Sequence, residues 1–341
     1  MSGSAHVKTK LTKGRLAAII SCVAVCVLFL AAIILNVFVP LKYLSAYVVP
    51  VRARSRDMAE VRFLNVGHAD CTLCLLPDGS TLLIDGGDGS YSANLAVLGA
   101  LNESGVDKID YLVCTSPLVD YCGGLAEIIK YKRVSNIFLP AISNPYITES
   151  YADFVGAAED SGARITTACY GNGVCGQNWF FTFLSPSAEG DPHGFISRVN
   201  ADPSAENIRN ASAVVWLEYA GTSIAFTSSA GSEALESVVR DYETITADGG
   251  VYAPVGEYGV NLSSCEVVTV PGHGAKECTS ANWYNLLQPR EAVVSVGENY
   301  SSLPSSHALA DVCAYVERPR LTSVSGHISL IVSPNGYAFA N

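Results

Sequence analysis

Acidic residues are absent from the first 56 positions, histidine is rare throughout at six in 341, and basic residues are thin beyond position 56. Each shortage excludes something. The eight Lys and Arg before Asp57 face no acid, which leaves 13 Lys and Arg against 32 Asp and Glu in the remainder, a formal charge of −19. Nucleic-acid binding is dominated by Lys and Arg contacts to phosphate, so a body this acidic disfavours nucleic acid as a partner. A second long apolar run is missing, which excludes a multi-helix channel within this sequence. The eleven cysteines form no zinc-finger spacing, and no GxSxG elbow marks a serine nucleophile.

What is present begins with Leu16 to Val39, 24 residues without a charge. A helix of that length spans a bilayer, and the run exceeds the apolar core of an ordinary signal peptide. The expected order is a basic tail over 1–15, a membrane anchor over 16–39, a linker over 40–56 and a globular body over 57–341. Lys8, Lys10, Lys13 and Arg15 lie nearer the anchor than most of the basic residues that follow it. They favour a cytoplasmic N-terminus and a single-pass protein with its body outside the cytoplasm. In that setting Cys169 and Cys175, which flank the turn sequence YGNGV, could close a hairpin disulfide. Cys114, Cys265 and Cys313 read as small buried apolar residues.

The body opens with strand-like runs, EVRFLNV, CTLCLL and TLLIDGG, the last two joined by PDGS with Asp78-Gly79 at a hairpin tip. A helical pattern over Ser92 to Leu101 leads into the buried run DYLVCT. Similar alternation follows: FFTFLSP, SAVVWLEYAG and TSIAFTSS read as strands, and Ser232 to Asp241 as a helix with Ser232 at its N-cap. CEVVTVPGHG and EAVVSVG are buried strands, with helices from near Thr279 and from Ser306 to Val316. Two similar halves with sheets inside and helices outside predict an α/β protein, an αββα sandwich.

The blocks FLNVGHADCTLCLLPDGSTLLIDGG, YLVCTSPLVDYCGGL, NASAVVWLEYAGTSIAFTSS, VVTVPGHG and AVVSVGENYSSLP resemble, in order and spacing, the metallo-β-lactamase-fold domain at the C-terminus of the ComEC DNA-uptake channel family. The resemblance covers nearly all of 60–341. It implies a hydrolase fold whose second block, Thr-His-x-His/Asp-x-Asp-His, grips zinc or manganese. Laid over this chain, Thr115 keeps its place and Asp120 matches. Ser116 and Tyr121 replace histidines, and Leu118 replaces the second ligand. The family's Gly-Asp falls on Ser228-Ser229, its His-His-Gly on Gly272-His273-Gly274, and its late Gly-His-Pro on Ser302-Leu303-Pro304. Asp85, Asp120 and His273 survive in a vestigial pocket with Ser116, Tyr121 and Ser229.

A catalytic zinc needs at least three protein donors of N, S or carboxylate type, and Leu118 offers none. The resemblance therefore implies a site whose metal ligands are lost, and no cofactor is expected. A Ser-His-Asp relay drawn from Ser116, Ser228 or Ser229, His273, and Asp85 or Asp120 is conceivable, as is Cys122 with His273. The ordinary structural readings are that Asp85 and Asp120 cap tight turns, His273 bonds a loop carbonyl and Ser229 caps a helix. His68 reads as a turn contact near the pocket, His193, His307 and His327 as isolated residues, and Tyr121 and Tyr300 as candidate groove residues for carbohydrate or peptide. The expected function is a membrane-anchored pseudoenzyme that binds or scaffolds a protein or small molecule. The alternatives are a divergent active hydrolase and a DNA-processing accessory protein of an uptake system.

Overall fold

The computed structural model describes residues 13–38, 41–53, 57–187, 189–298 and 302–340. Lys8, Lys10, Arg54, Arg56, the last anchor residue Val39, and Tyr300 lie outside the described residues. The chain divides into two compact units, 1–48 and 49–341. In the first, a helix runs over Lys13–Phe38, and its segment Lys13–Ile34 is long and apolar enough to cross a membrane. At about 1.5 Å per residue, 22 residues reach about 33 Å, the thickness of a bilayer's hydrocarbon core.

The second unit holds two mixed sheets. The first, from edge to edge, is Gly336–Ala340, Ile328–Ser333, Ala59–Phe63, Thr72–Leu75, Thr81–Ile84, Lys108–Val113, Arg133–Pro140 and Arg164–Ala168. The second is Arg320–Leu321, Glu291–Val294, Val267–Thr269, Thr222–Phe226, Val214–Tyr219, Trp179–Ser185 and Gly173–Cys175. Each has an antiparallel side and a parallel side: Thr81–Ile84, Lys108–Val113, Arg133–Pro140 and Arg164–Ala168 run parallel in one, and Thr222–Phe226, Val267–Thr269, Glu291–Val294 and Arg320–Leu321 in the other. Parallel strands require crossovers, and helices supply them.

Three apolar clusters show the layering. Val61, Phe63, Leu82 and Ile84 from the first sheet pack with Phe181, Phe183, Val215 and Ile224 from the second. A second cluster joins the opposite face of the first sheet (Leu73, Leu83, Leu112) to helical Val97, Leu101, Leu125 and Phe154. A third joins the second sheet (Trp216, Val268, Val294) to helical Leu235, Val238, Trp283 and Leu287. Period-2 alternation sends successive side chains to opposite faces, and both faces are covered, so the strands read as nearly continuous apolar runs. The αββα sandwich expected from the sequence is the architecture observed.

Several local readings are corrected. The Asp78-Gly79 hairpin forms as read, with Leu75 paired to Thr81. Gly231 is the N-cap of Ser232–Ala247, with Ser232 its first helical residue, and Ser280 caps Ala281–Leu287. Cys175 is an exposed free thiol, so the Cys169–Cys175 bridge is not formed. His193 is not isolated, since its Nε2 lies 2.8 Å from Asp241. Nor is His327, whose Nδ1 accepts from the Asn65 amide at 2.9 Å and joins two parts of the first sheet.

Candidate functional site

The parallel strands of both sheets leave their C-terminal ends on one edge, and each end carries a loop of the site. Thr81–Ile84 runs into Asp85, Lys108–Val113 into Thr115 and Ser116, and Thr222–Phe226 into Ser228 and Ser229. Val267–Thr269 leads to a turn over Pro271–Gly274, and Glu291–Val294 to Ser295. Three non-glycine residues on these loops hold left-handed backbones, Asp85 (φ 60°), Ser228 (φ 50°) and His273 (φ 58°). Such conformations cost energy for most side chains and persist where surrounding contacts over-determine them.

Those contacts form a clasp between the sheets. The Asp85 carboxyl, 1% exposed, accepts from the Thr115 amide at 2.8 Å and the Thr115 hydroxyl at 2.7 Å, and its Oδ2 lies 3.3 Å from the Ser228 hydroxyl oxygen. The Thr115 and Ser228 hydroxyls are hydrogen-bonded to each other. The Ala213 amide donates to the Thr115 carbonyl at 2.8 Å, and the Gly272 amide to that of Ser228 at 2.7 Å. Burial pushes the Asp85 carboxyl well above the usual range, against the lowering effect of its Thr115 bonds. Asp85 thus joins two strand ends and the second sheet, a larger role than capping one turn.

Beside the clasp, His273 is 4% exposed. Its Nδ1 lies 2.8 Å from the Ser295 carbonyl. A carbonyl only accepts, so Nδ1 carries a proton, and whenever the ring is uncharged Nε2 is the lone pair. The loop-carbonyl bond expected from the sequence is present. The ring stacks on Tyr121 at 5.4 Å and meets His68 at 4.4 Å between centroids. Asp70 Oδ2 is 3.7 Å from Nδ1, and Asp120 Oδ2 is 3.9 Å from Nε2. Two buried polar atoms here, His273 Nε2 and the Tyr121 hydroxyl, have no hydrogen-bond partner among the described residues. Both residues line a cavity of about 360 Å³, with Leu118 and Leu303 on its wall and Arg209 and Lys276 among its polar lining.

Asp120, Tyr121, Ser229 and His273 line this cavity. Asp85 and Ser116 do not line it. Ser116 is fully buried, and its hydroxyl accepts weakly from the Leu118 amide at 3.4 Å. Ser229 bonds Ser212 at 2.7 Å and caps no helix. Asp120 lies in the first turn of Val119–Cys122 and its carboxylate makes no cap bond there. His68 is more than a turn contact, because its ring packs on His273, and burial followed by the nearby His273 charge lowers its pKa to about 4.

Asp70, Ser295 and Arg209 were missed. Asp70 had a signal in the sequence, since it stands two residues after His68 in the same loop. Burial raises the Asp70 and Asp120 carboxyls, and the His273 charge partly opposes both shifts.

The donors fit zinc or manganese poorly. The two nitrogens of one imidazole point apart, so Asp70 on the Nδ1 side and Asp120 on the Nε2 side cannot share one ion with it. Nδ1 is also occupied by Ser295. Among the described residues no group of three or more His, Cys, Asp or Glu side chains is placed to hold a metal. The serine relays are not assembled either: the Ser116, Ser228 and Ser229 hydroxyls bond Leu118, Asp85 with Thr115, and Ser212 respectively, and His273 bonds Ser295. Cys122 donates to the Pro117 carbonyl at 3.4 Å, and burial pushes its thiol up to about 12, far from a thiolate at neutral pH.

The His68 shift has a measurable consequence. A histidine whose folded pKa is depressed contributes stability that is complete above about 6.5 and is lost as pH falls towards 4. His68→Gln should flatten that part of the stability curve, removing about 1–2 kcal/mol of acid sensitivity once solvent screening of a half-buried ring is allowed for. Urea unfolding at about pH 7 and about pH 4.5, on either side of the ordinary histidine value, measures it. Parallel curves for variant and wild type would show that His68 does not carry the effect.

No family model matches the chain. ComE operon protein 3 of Bacillus subtilis (strain 168) is 25% identical over 256 residues, which cover 70% of this chain and 28% of that protein. The chain matches little more than a quarter of that relative's length. Among solved structures, the metallo-β-lactamase-fold protein YhfI from Bacillus subtilis aligns at TM-score 0.43 with 8% identity, over 77% of this chain and 95% of that one. A diphosphatase from the PhnP family aligns at 0.43 with 11% identity, over 80% and 97%. The sequence likeness to the ComEC family read from the five blocks is present, and the layered fold is seen in the strand order of this chain itself.

Proposed function

We infer that the chain is a membrane-anchored binding module, a metallo-β-lactamase fold that holds a ligand or partner without metal-dependent hydrolysis. The observation that carries this reading is the division of carboxylates around His273: Asp70 and Asp120 sit on opposite ring nitrogens, 3.7 and 3.9 Å away. A catalytic zinc needs three donors converging on one point, and here two at most converge on Nε2. Leu118 occupies a ligand position with a side chain packed against the apolar cluster of the second sheet. The helix Lys13–Phe38 supplies the anchor, and the basic residues before it favour a body outside the cytoplasm. The formal charge of −19 supports a small molecule or protein over nucleic acid.

The full chain, purified in detergent and dialysed, should carry less than about one tenth of an equivalent of zinc or manganese, and a chelator should leave its melting temperature unchanged. One equivalent of either metal surviving dialysis, or a melting temperature lowered by chelator, would sink the reading in favour of a divergent hydrolase. Orientation is tested separately with a membrane-impermeant thiol reagent on intact cells. Exposed Cys175 should label without lysis, and labelling only after lysis would place the body inside.

A further inference from the structure

We propose that the cavity over Tyr121 and His273 binds the ammonium group of a small amine, an inference that rests on the metal-free reading above and names its ligand class. The geometry supplies acceptors at the point of interest. With Nδ1–H committed to Ser295 at 2.8 Å, the uncharged His273 ring presents at Nε2 a lone pair that no group among the described residues meets. The Tyr121 hydroxyl, on a side chain 1% exposed, is likewise unmet and lines the same cavity. Buried polar atoms are seldom left without a partner, because each one unmet costs the desolvation of the group. The Asp120 carboxylate stands 3.9 Å from Nε2. A ligand satisfying a lone pair, a phenol oxygen and a carboxylate together must donate several hydrogen bonds, and an ammonium has three.

Charge selects the ammonium over a neutral hydroxyl. Burial raises the Asp120 carboxyl most, and repulsion from Asp88 and Asp70 adds to it, with the Arg209 charge in partial opposition. A cation placed at Nε2 relieves that repulsion, and a hydroxyl does not. An inorganic divalent ion would also relieve it, but the diverging nitrogens leave it too few protein donors. The aromatic rings of Tyr121 and His68 border the cavity, and ring faces attract organic cations. Arg209 pairs with Glu277 at 3.4 Å and so adds little net charge, while Lys276 is exposed at the rim. A cavity of about 360 Å³ suits a small molecule.

The test uses the full chain in detergent micelles, labelled with ¹⁵N at histidine, and titrated with methylammonium chloride against sodium chloride at equal ionic strength. Methylammonium should move the His273 Nε2 resonance saturably and raise the melting temperature, and sodium should do neither. Asp120→Asn should weaken binding by about ten-fold, the worth of one charge-assisted hydrogen bond, and Tyr121→Phe by a few-fold. Lys130→Ala, an exposed lysine that does not line the cavity, should leave it unchanged, which guards against a general surface effect. Methylammonium acting no differently from sodium, or saturable binding of acetate at the same resonance, would overturn the ammonium proposal and leave the metal-free reading standing. Uptake of one equivalent of zinc, displacing methylammonium, would overturn both.

Discussion

Asp85→Ala should lower the unfolding free energy of the body by roughly 3–5 kcal/mol, the largest loss expected from any single polar substitution at the site. The change strips the acceptor from the Thr115 amide and the Thr115 hydroxyl at once, while Ser228 keeps its bond to Thr115, and each buried donor left unmet costs about 1–3 kcal/mol. It also puts alanine at φ 60°, which costs about 1–2 kcal/mol more than for residues that tolerate left-handed backbone. Asp85→Asn keeps one acceptor and the left-handed tolerance, so about 1–2 kcal/mol is expected. Urea unfolding followed by tryptophan fluorescence measures both. A loss below about 1 kcal/mol for the alanine variant would mean that the clasp does not hold the two sheets together.

The same residue fixes the sign of a pH effect. A carboxyl raised well above its ordinary value binds its proton more tightly folded than unfolded. Its contribution is complete below the unfolded pKa of about 3.9 and is lost as pH rises towards the folded value. The Asp85→Asn variant lacks that loss, so its deficit against wild type should shrink as pH is raised. His68 runs the other way, losing stability as pH falls from about 6.5 to 4. A buried carboxyl and a half-buried imidazole thus tilt the curve oppositely, and the single variants separate them.

The layers were legible because strand runs such as LVC and AVVWL can satisfy both faces only between two apolar surfaces, and because Asp78-Gly79 fits one kind of hairpin tip. The convergence of Asp120, Tyr121, Ser229 and His273 was legible from ordered loop sequences. What the sequence did not disclose was direction. Nothing in PGHG tells which ring nitrogen Ser295 takes, and that hydrogen bond decides whether Asp70 and Asp120 cooperate or stand apart. His68 looked like a turn residue because the ring it packs on, His273, is far away in the chain and reaches it across the two sheets. The clasp was hidden for the same reason, since Asp85 and Ser228 lie 143 residues apart. Ser116 looked like a pocket residue from its place in the second block, but it is fully buried and does not line the cavity.

Burial and backbone angle also decide how a metal site could be installed, and the expected effect is a gain from no stoichiometric zinc to micromolar affinity or tighter. Ser116→His, Leu118→His, Tyr121→His and Ser229→Asp together should place donors on the Nε2 side of His273 beside Asp120. Gly272 must be left alone. It has φ +56°, and a Cβ there would meet Cys278 Sγ at 2.5 Å and Cys278 Cβ at 3.0 Å, so a histidine at that position would force the turn open. Leu118 is only partly buried, so its replacement should cost about 1–2 kcal/mol, less than the roughly 2–5 kcal/mol typical of a full core truncation. The tighter position is Ser116, with no exposure at all, where an imidazole must displace neighbours. A variant keeping Ser116 therefore belongs in the test, in which Leu118→His and Ser229→Asp, together with the native Asp120 and His273, still offer the donors that zinc requires. Zinc binding is read by competition with a chromophoric chelator, and folding by circular dichroism, with turnover left aside because new ligands lack partners to orient them. If both variants fold and neither takes up zinc at micromolar concentration, the loops over Thr115 and Ser228 do not converge as a metal centre requires, and the wild-type cavity was never the remnant of one.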